Sequence, residues 1–460
     1  MTATATTTAT KTDTDPTLRA AERSTISLRG VLSLWWPLAG SWLLMGADLP
    51  MFTAAVARMP DPEINLAAFG SLVFPVSLLI EAPIIMLLAA STALTTDREA
   101  YAKLRRFTHM AGAALTLLHV LVAFTGLFDW VACDVIGVPA EVVEPARAGM
   151  RIMTPWTWAI ASRRFQQGVL IRYGQSRTVA AGTLARLAAN IIVLWVGFSS
   201  GRLSGIVVGC SAIIAGVLAE AAFVAWRTAP VVAGHIPHRG DSAEDSTPLT
   251  RASFLGFYTP LAMTPFLTLA AQPLGAAAMA RMPLALASLA AWPAVHGLVF
   301  LMRSLGIAHN EVVVTLIGRP GALASLRRFQ WILIAAVTVL LLTVALTPVS
   351  GVWFAKVSGL SPDLVALSRS TLIFAIALPG CSVLHSWYQG VLLNASHSRP
   401  ITEAVAISLA VTTGVFALGT YLNSTAGIHF ALLGLSAGAL AQAAWLAYRA
   451  RPALLALRTK

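Results

Sequence analysis

Side chains that carry charge or titrate recur inside long apolar stretches of this sequence. Asp48, Glu81, Arg163, Arg164, Arg186 and Glu220 lie in its first half, and His296, Arg303, Glu311, His385 and His429 in its second. An ionisable group in an apolar span costs several kcal/mol unless it meets a cavity or a partner, so each is a candidate for function. Two acids share a local pattern: Asp48 precedes Pro50 by two residues in GADLPM, and Glu81 precedes Pro83 in IEAPI. A proline inside a helix removes a backbone hydrogen bond and kinks it, which opens polar backbone beside the acid. Two neighbouring carboxylates share one proton near neutrality. Asp48 and Glu81 are therefore the candidate coupling-ion residues. The competing reading of Asp48 is a structural ion pair with an arginine of a neighbouring helix.

The cations suggest a different chemistry. Arg163 and Arg164 are adjacent, about 100° apart around a helix, and cannot face the same way. A ring of Arg163, Arg303, His296 and His385 around a cavity would be electropositive and attract an anionic solute. Alternatively, each arginine neutralises an acid of its own half. Arg303 resists that explanation, because the spans of the second half offer only Glu311, two turns along the same helix, and Glu403 at a span edge. Arg303 is the leading candidate for a substrate contact.

The elements that must position these groups are membrane spans. The chain is 57% hydrophobic and 11% charged, with mean hydropathy +0.74, whereas soluble domains carry about 25% charged residues. Apolar runs of some twenty residues, apolar on all faces, recur throughout and match the bilayer core; helices satisfy their backbone there. The expected spans are 31–56, 64–93, 107–128, 148–172, 178–199, 204–226, 254–277, 286–317, 330–350, 368–393, 400–420 and 427–449. A formal charge of +12 raises the question of nucleic acid. The charge instead clusters in alternate loops, at Arg98–Arg106, Arg172–Arg177, Arg319–Arg328 and Arg449–Lys460, as the positive-inside rule requires. Nucleic acid is not supported, and both termini are expected in the cytoplasm. Three cysteines without motif spacing predict neither a disulfide framework nor a metal site.

The chain also contains itself twice. AVARMP at 55–60 returns as AMARMP at 278–283, LRRF at 104–107 as LRRF at 326–329, and QGVLIRYGQSR at 167–177 as QGVLLNASHSR at 389–399. The interval is 222 or 223 residues; in the second span, matching Pro75 to Pro293 requires a local shift and leaves Arg303 opposite an uncharged residue. Asp48 falls opposite Ala271, Arg163 opposite His385 and Gln167 opposite Gln389. The Gln–Gly pairs either contribute Gln167 and Gln389 to a substrate site or serve helix packing through their small residues. The expected organisation is a disordered tail (1–30), a six-helix lobe (31–226), a cytoplasmic linker (227–252), a second six-helix lobe (253–449) and a basic tail (450–460). Even numbers of spans make the lobes parallel, related by a pseudo-twofold axis along the membrane normal.

Two parallel six-helix halves, a proline-bearing first helix and a fourth helix ending QG-x-L-x-x-x-x-x-S-R resemble the MATE-like fold of the multidrug/oligosaccharidyl-lipid/polysaccharide exporter superfamily. The run WPAVHGLVFLMRS at 292–304 is similar to its progressive-ankylosis-like branch. The resemblance implies an all-α membrane protein of two lobes that exports a small organic solute by alternating access, coupled to H+ or Na+ and without a resident cofactor. A monomer in the bacterial inner membrane, surrounded by lipid, is expected. A lipid-linked precursor flippase and a non-transporting scaffold are the alternatives. Neither HExxH nor the Walker loop occurs in the sequence, and no catalytic residues are assigned.

Overall fold

The computed structural model describes residues 26–238, 249–319, 321–395 and 397–458. Among them there is no strand. Eleven helices are long and apolar enough to cross a membrane. They are α1 (Leu28–Val56), α2 (Pro62–Leu94), α3 (Arg98–Phe124), α5 (Ser176–Ser200), α6 (Gly205–Gly234), α7 (Arg251–Ala280), α8 (Ala285–Leu316), α9 (Ala322–Leu346), α10 (Pro362–Asn394), α11 (Arg399–Leu422) and α12 (Gly427–Arg458). Between α3 and α5 runs α4, built of Ala140–Ile152 and Trp156–Arg172. Its two pieces, of 13 and 17 residues, are each shorter than any of the other eleven, and they carry Arg151, Arg163, Arg164 and Arg172.

Several expected boundaries move. Helix α3 begins at Arg98, where the Asp97 side chain accepts from the Ala100 N–H and caps it. Helix α12 continues to Arg458, so residues 450–458 extend the helix rather than forming a separate tail. The linker at 227–252 is helical at both ends, to Gly234 and from Arg251. Its residues 239–248, and residues 1–25 of the expected tail, lie outside the described residues.

The backbone repeats at the interval read from the sequence. Left-handed residues recur in pairs: Asp61 (φ 49°) with Leu284 (φ 55°), Gly137 (77°) with Gly359 (75°), and Gly201 (61°) with Asn423 (45°). Long-range hydrogen bonds recur as well. Trp35 Nε1 donates to the Leu305 carbonyl at 3.1 Å, and Tyr258 Oη to the Pro83 carbonyl at 2.6 Å. Trp35 and Tyr258 stand 223 residues apart and Pro83 and Leu305 stand 222 apart. The interval shortens by one within α2, where a π-helical turn at Phe69–Val73 accommodates one extra residue. This register corrects the expected match of Pro75 to Pro293. Pro293 corresponds instead to Gly70, against which it packs: a Cβ on Gly70 would come within 2.8 Å of the proline ring. Beyond that turn, Arg303 corresponds to Glu81 and so does have a charged counterpart, of opposite sign.

The two lobes, α1–α6 and α7–α12, are joined differently at their two ends. At the end far from the termini, residues of both lobes share one apolar core, with Phe52, Leu66 and Phe128 of the first and Leu289, Phe354 and Leu360 of the second. Two arginines tie this end together. Arg58, at the end of α1, donates to the carbonyls of Lys356 at 2.5 Å and Val357 at 3.2 Å. Arg281, at the end of α7, donates to those of Asp134 at 3.2 Å, Val135 at 2.8 Å and Ile136 at 2.7 Å. Each acceptor run ends a π-helical segment of the opposite lobe, Trp353–Val357 or Trp130–Ile136. Carbonyls at a helix end lack partners and carry partial negative charge, and the guanidinium fork supplies several donors to them. Ser361 Oγ also donates to Glu63 Oε1 at 3.0 Å across the same junction.

At the end that carries the termini, the first helix of each lobe crosses to the other. Val31, Trp35 and Ala39 of α1 are buried with Val312, Phe329 and Val391 of the second lobe. Phe254 and Tyr258 of α7 pack edge-on against Phe107 of α3, with centroids 4.7 Å and 5.3 Å apart.

Candidate substrate cavity

A cavity of about 510 Å³ lies between the lobes. Its two walls differ in chemistry. The first lobe contributes mostly apolar side chains, among them Met45, Phe69, Phe74, Leu78 and Trp156, with the Asp48 and Arg186 side chains as the polar exception. The second lobe adds the polar side chains of Gln272, His296, Arg303, His385, Ser408, Thr412 and Gln442 among apolar ones such as Phe300, Leu378 and Leu409. On α8, His296, Phe300, Arg303 and Ile307 recur at the spacing of one helical face, which turns all four into the cavity.

Arg303 is the uncompensated charge of this wall. Its Nε donates to Ser382 Oγ at 3.1 Å, and that hydroxyl in turn donates a hydrogen bond to the Leu378 carbonyl. Among the described residues, no carboxylate lies within ion-pair distance of Arg303 and its two terminal nitrogens have no protein partner. His296 and His385 flank its charge. His385 Nε2 is bonded to the Ala439 carbonyl at 2.9 Å, and the Gln272 amide nitrogen lies 3.3 Å from His296 Nε2. Trp292 stacks on His296 with centroids 5.2 Å apart and fixes the ring from behind.

The first lobe fills the corresponding interior with an ion cluster. Glu220, 1% exposed, accepts from Arg163 Nη1 at 2.5 Å and from Gln167 Nε2 at 2.9 Å. Arg186 reaches Asp48 at 2.9 Å and Glu220 at 3.8 Å, and the Asn190 amide donates to Asp48 at 3.3 Å. Glu81 is buried nearby with Arg164 and Arg163 as its charged neighbours, and its Oε2 has no hydrogen-bond partner. Three acids thus stand with three arginines, as complete charge compensation of a low-dielectric interior requires.

These placements divide the expected site residues. His296, Arg303 and His385 line the cavity, and so does Asp48, paired with Arg186. Arg163 and Gln167 do not: the Glu220 carboxylate holds both inside the first lobe. The expected ring of four cations therefore lacks its first-lobe member. Gln389 is also away from the lining. Glu81 and Asp48 are not neighbours, since the charges facing Asp48 are Arg186, Glu220 and Arg163. The glycines of the two Gln–Gly pairs sit at close helix crossings; a Cβ on Gly168 would fall 1.8 Å from Ser91 Oγ, and one on Gly390 2.5 Å from Val313 Cγ1. Packing is what those glycines do. Among the tryptophans, Trp158 is 41% exposed, Trp387 lies in the termini-end core and Trp156 lines the cavity. Gln272 and Gln442 were not singled out from sequence, although a glutamine in an apolar span is itself a signal.

The register of the repeat relates the two interiors. Asp48, Arg163, Arg186, Asn190 and Glu220 correspond to Ala271, His385, Ser408, Thr412 and Gln442, and every one of these second-lobe residues lines the cavity. Where the first lobe has salt bridges, the second has open space with hydrogen-bonding walls.

No protein-family model and no curated protein matches the chain. Solved structures do match it. A multidrug resistance MATE family transporter of the MOP superfamily in an inward-facing conformation is 16% identical, with a TM-score of 0.65 over 91% of this chain and 96% of its own. One in an outward-facing conformation is 15% identical, with a TM-score of 0.60 over 95% and 97%. A MOP superfamily transporter from Pyrococcus furiosus, whose binding pocket is described as of reverse polarity, suggesting a different function, is 16% identical, with a TM-score of 0.62 over 95% and 98%. What is shared at this identity is the arrangement of the helices, and it extends over nine-tenths of the chain or more: this protein has the fold of these MATE transporters.

Proposed function

We propose that the protein is a secondary transporter that exports a small organic anion by alternating access. The observation that carries this reading is a cavity between two lobes, closed at one end by contacts that can be broken and remade. The far-end seal consists of hydrogen bonds and apolar packing between lobes, while at the termini end the lobes meet through α1 and α7 and the helices these cross to. Basic loops at the termini end favour the cytoplasmic side for that end by the positive-inside rule, and on this reading the conformation opens inward. Large apolar side chains such as Trp36, Trp195 and Trp226, each more than 60% exposed, would face lipid.

The unpaired Arg303 favours an anionic solute, and Asp48 is the acid placed to couple an ion. Its carboxylate meets both the cavity and Arg186, so binding of H+ or Na+ there would alter the ion cluster as well as the cavity wall. A cavity of about 510 Å³ suits a molecule of drug size rather than a lipid-linked oligosaccharide. The test is flux into proteoliposomes under an imposed pH or Na+ gradient, with Asp48→Asn and Arg303→Ala alongside the parent. Gradient-driven flux lost in both variants supports the reading. Flux of no solute by the parent, or unchanged flux in both folded variants, overturns it.

A further inference from the structure

The correspondence between the lobes narrows the class of solute. In the first lobe three carboxylates balance three interior arginines in number, and Arg163 and Arg186 are directly ion-paired. In the second, the corresponding positions retain a single full charge, Arg303 in the place of Glu81, and the remaining polar groups are hydrogen-bonding side chains without a fixed charge. We propose that the ligand is an amphipathic monoanion: its acid group takes the free edge of Arg303, and its apolar body lies against Phe69, Phe74 and Trp156. The ligand's carboxylate then supplies to the second lobe what Asp48, Glu81 and Glu220 supply to the first.

Five features carry this. The Nε of Arg303 is committed to Ser382, which leaves the edge formed by its two terminal nitrogens free, the geometry that a carboxylate meets with two parallel hydrogen bonds. The other cation on the wall, Arg186, already holds Asp48 and Glu220. A second carboxylate on the ligand would therefore be desolvated without a partner, which sets citrate-like polyanions aside. An ammonium ligand would have to sit beside Arg303 and compete for an Asp48 that Arg186 and Asn190 already occupy. The apolar wall of the first lobe has nothing to offer a polyol, and it suits a ring or a branched chain. Gln272 and Gln442 add donors and acceptors for a hydroxyl or an amide near the acid.

This inference rests on the transporter reading but is tested by binding. The full chain in lipid nanodiscs is titrated by calorimetry with 2-naphthoate, its uncharged amide, 2-naphthylmethylamine and citrate. The expected result is one saturable site at which 2-naphthoate binds at least tenfold more tightly than each of the other three. In Arg303→Gln the naphthoate affinity should fall to that of the amide, while the amide affinity is unchanged, which also reports that the variant is folded. Arg105→Gln, on the exposed surface of α3, should leave all affinities unaltered. Tighter binding of the amine or of citrate, no saturable binding of naphthoate, or a naphthoate preference that survives Arg303→Gln overturns the proposal. If Arg303→Gln does not fold, Arg303→Lys keeps the charge and loses the paired edge, and an undiminished preference there is equally fatal. The two readings fail separately: naphthoate that binds but is not moved across liposomes overturns transport alone, whereas flux confined to cations leaves transport standing and overturns the anionic ligand.

Discussion

Arg58 and Arg281 make the same contact in opposite directions. Each follows the first helix of its own lobe and donates to the last carbonyls of a π-helical segment in the other. A hydrogen bond from a charged donor contributes about 1.5–3 kcal/mol. Arg58→Gln with Arg281→Gln should therefore shift the balance toward a state open at the far end by about tenfold or more per arginine. Spin labels on the exposed Cys133 and on Asp363→Cys report the far-end separation across the two lobes. The double variant should show a longer distance population that the parent lacks. An unchanged distribution would mean that the apolar core alone closes this end.

Within the first lobe, Glu220 is the shared acceptor, and removing it strands Arg163. Breaking one side of a buried ion pair costs about 3–5 kcal/mol, so Glu220→Gln should markedly lower the melting temperature in detergent. Asp48→Asn should lower it less, because Arg186 keeps Glu220 at 3.8 Å and the Asp48 side chain is 28% exposed. Equal losses in the two variants would contradict the central place given to Glu220.

The two acids considered for coupling should separate in function. Asp48→Asn is expected to abolish the response of flux to a pH or Na+ gradient while leaving exchange of solute intact. Glu81→Gln, at a position away from the cavity lining, should keep the gradient response. A loss of coupling in Glu81→Gln with Asp48→Asn unaffected would reverse the assignment.

Gly168 and Gly390 hold equivalent places in the repeat and different neighbours. A methyl at Gly168 meets the Leu88 carbonyl at 2.4 Å as well as Ser91, and backbone does not yield easily. At Gly390 the nearest atoms belong to the Val313 side chain. Overpacking of this kind costs about 1–3 kcal/mol, and Gly168→Ala should reach or exceed the upper end while Gly390→Ala stays near the lower. Comparing the two melting temperatures checks the order.

Much of the scaffold was legible because lipid imposes one rule on every span, and duplication wrote the rule twice. The charged residues were legible as exceptions; their partners were not. Arg163 and Arg303 look alike in sequence, each an arginine in an apolar run. Which way each points depends on helix rotation, and what it meets depends on another helix; Glu220 lies 57 residues beyond Arg163. The register of α2 was missed for a different reason. Two prolines made a plausible match, whereas the π-helical turn that absorbs the extra residue leaves no mark in composition. Correcting it is what set Arg303 opposite Glu81.

The crossing of α1 and α7 bears on ancestry. Trp35 finds its acceptor on α8 and Tyr258 finds the equivalent one on α2. A single half, taken alone, would have neither acceptor nor core for the beginning of its first helix. A unit of this shape would be complete only as a pair of chains exchanging that helix, an arrangement of the domain-swapped kind. In the single chain the two halves are free to differ: the first holds its salt bridges, and the corresponding positions of the second line the cavity.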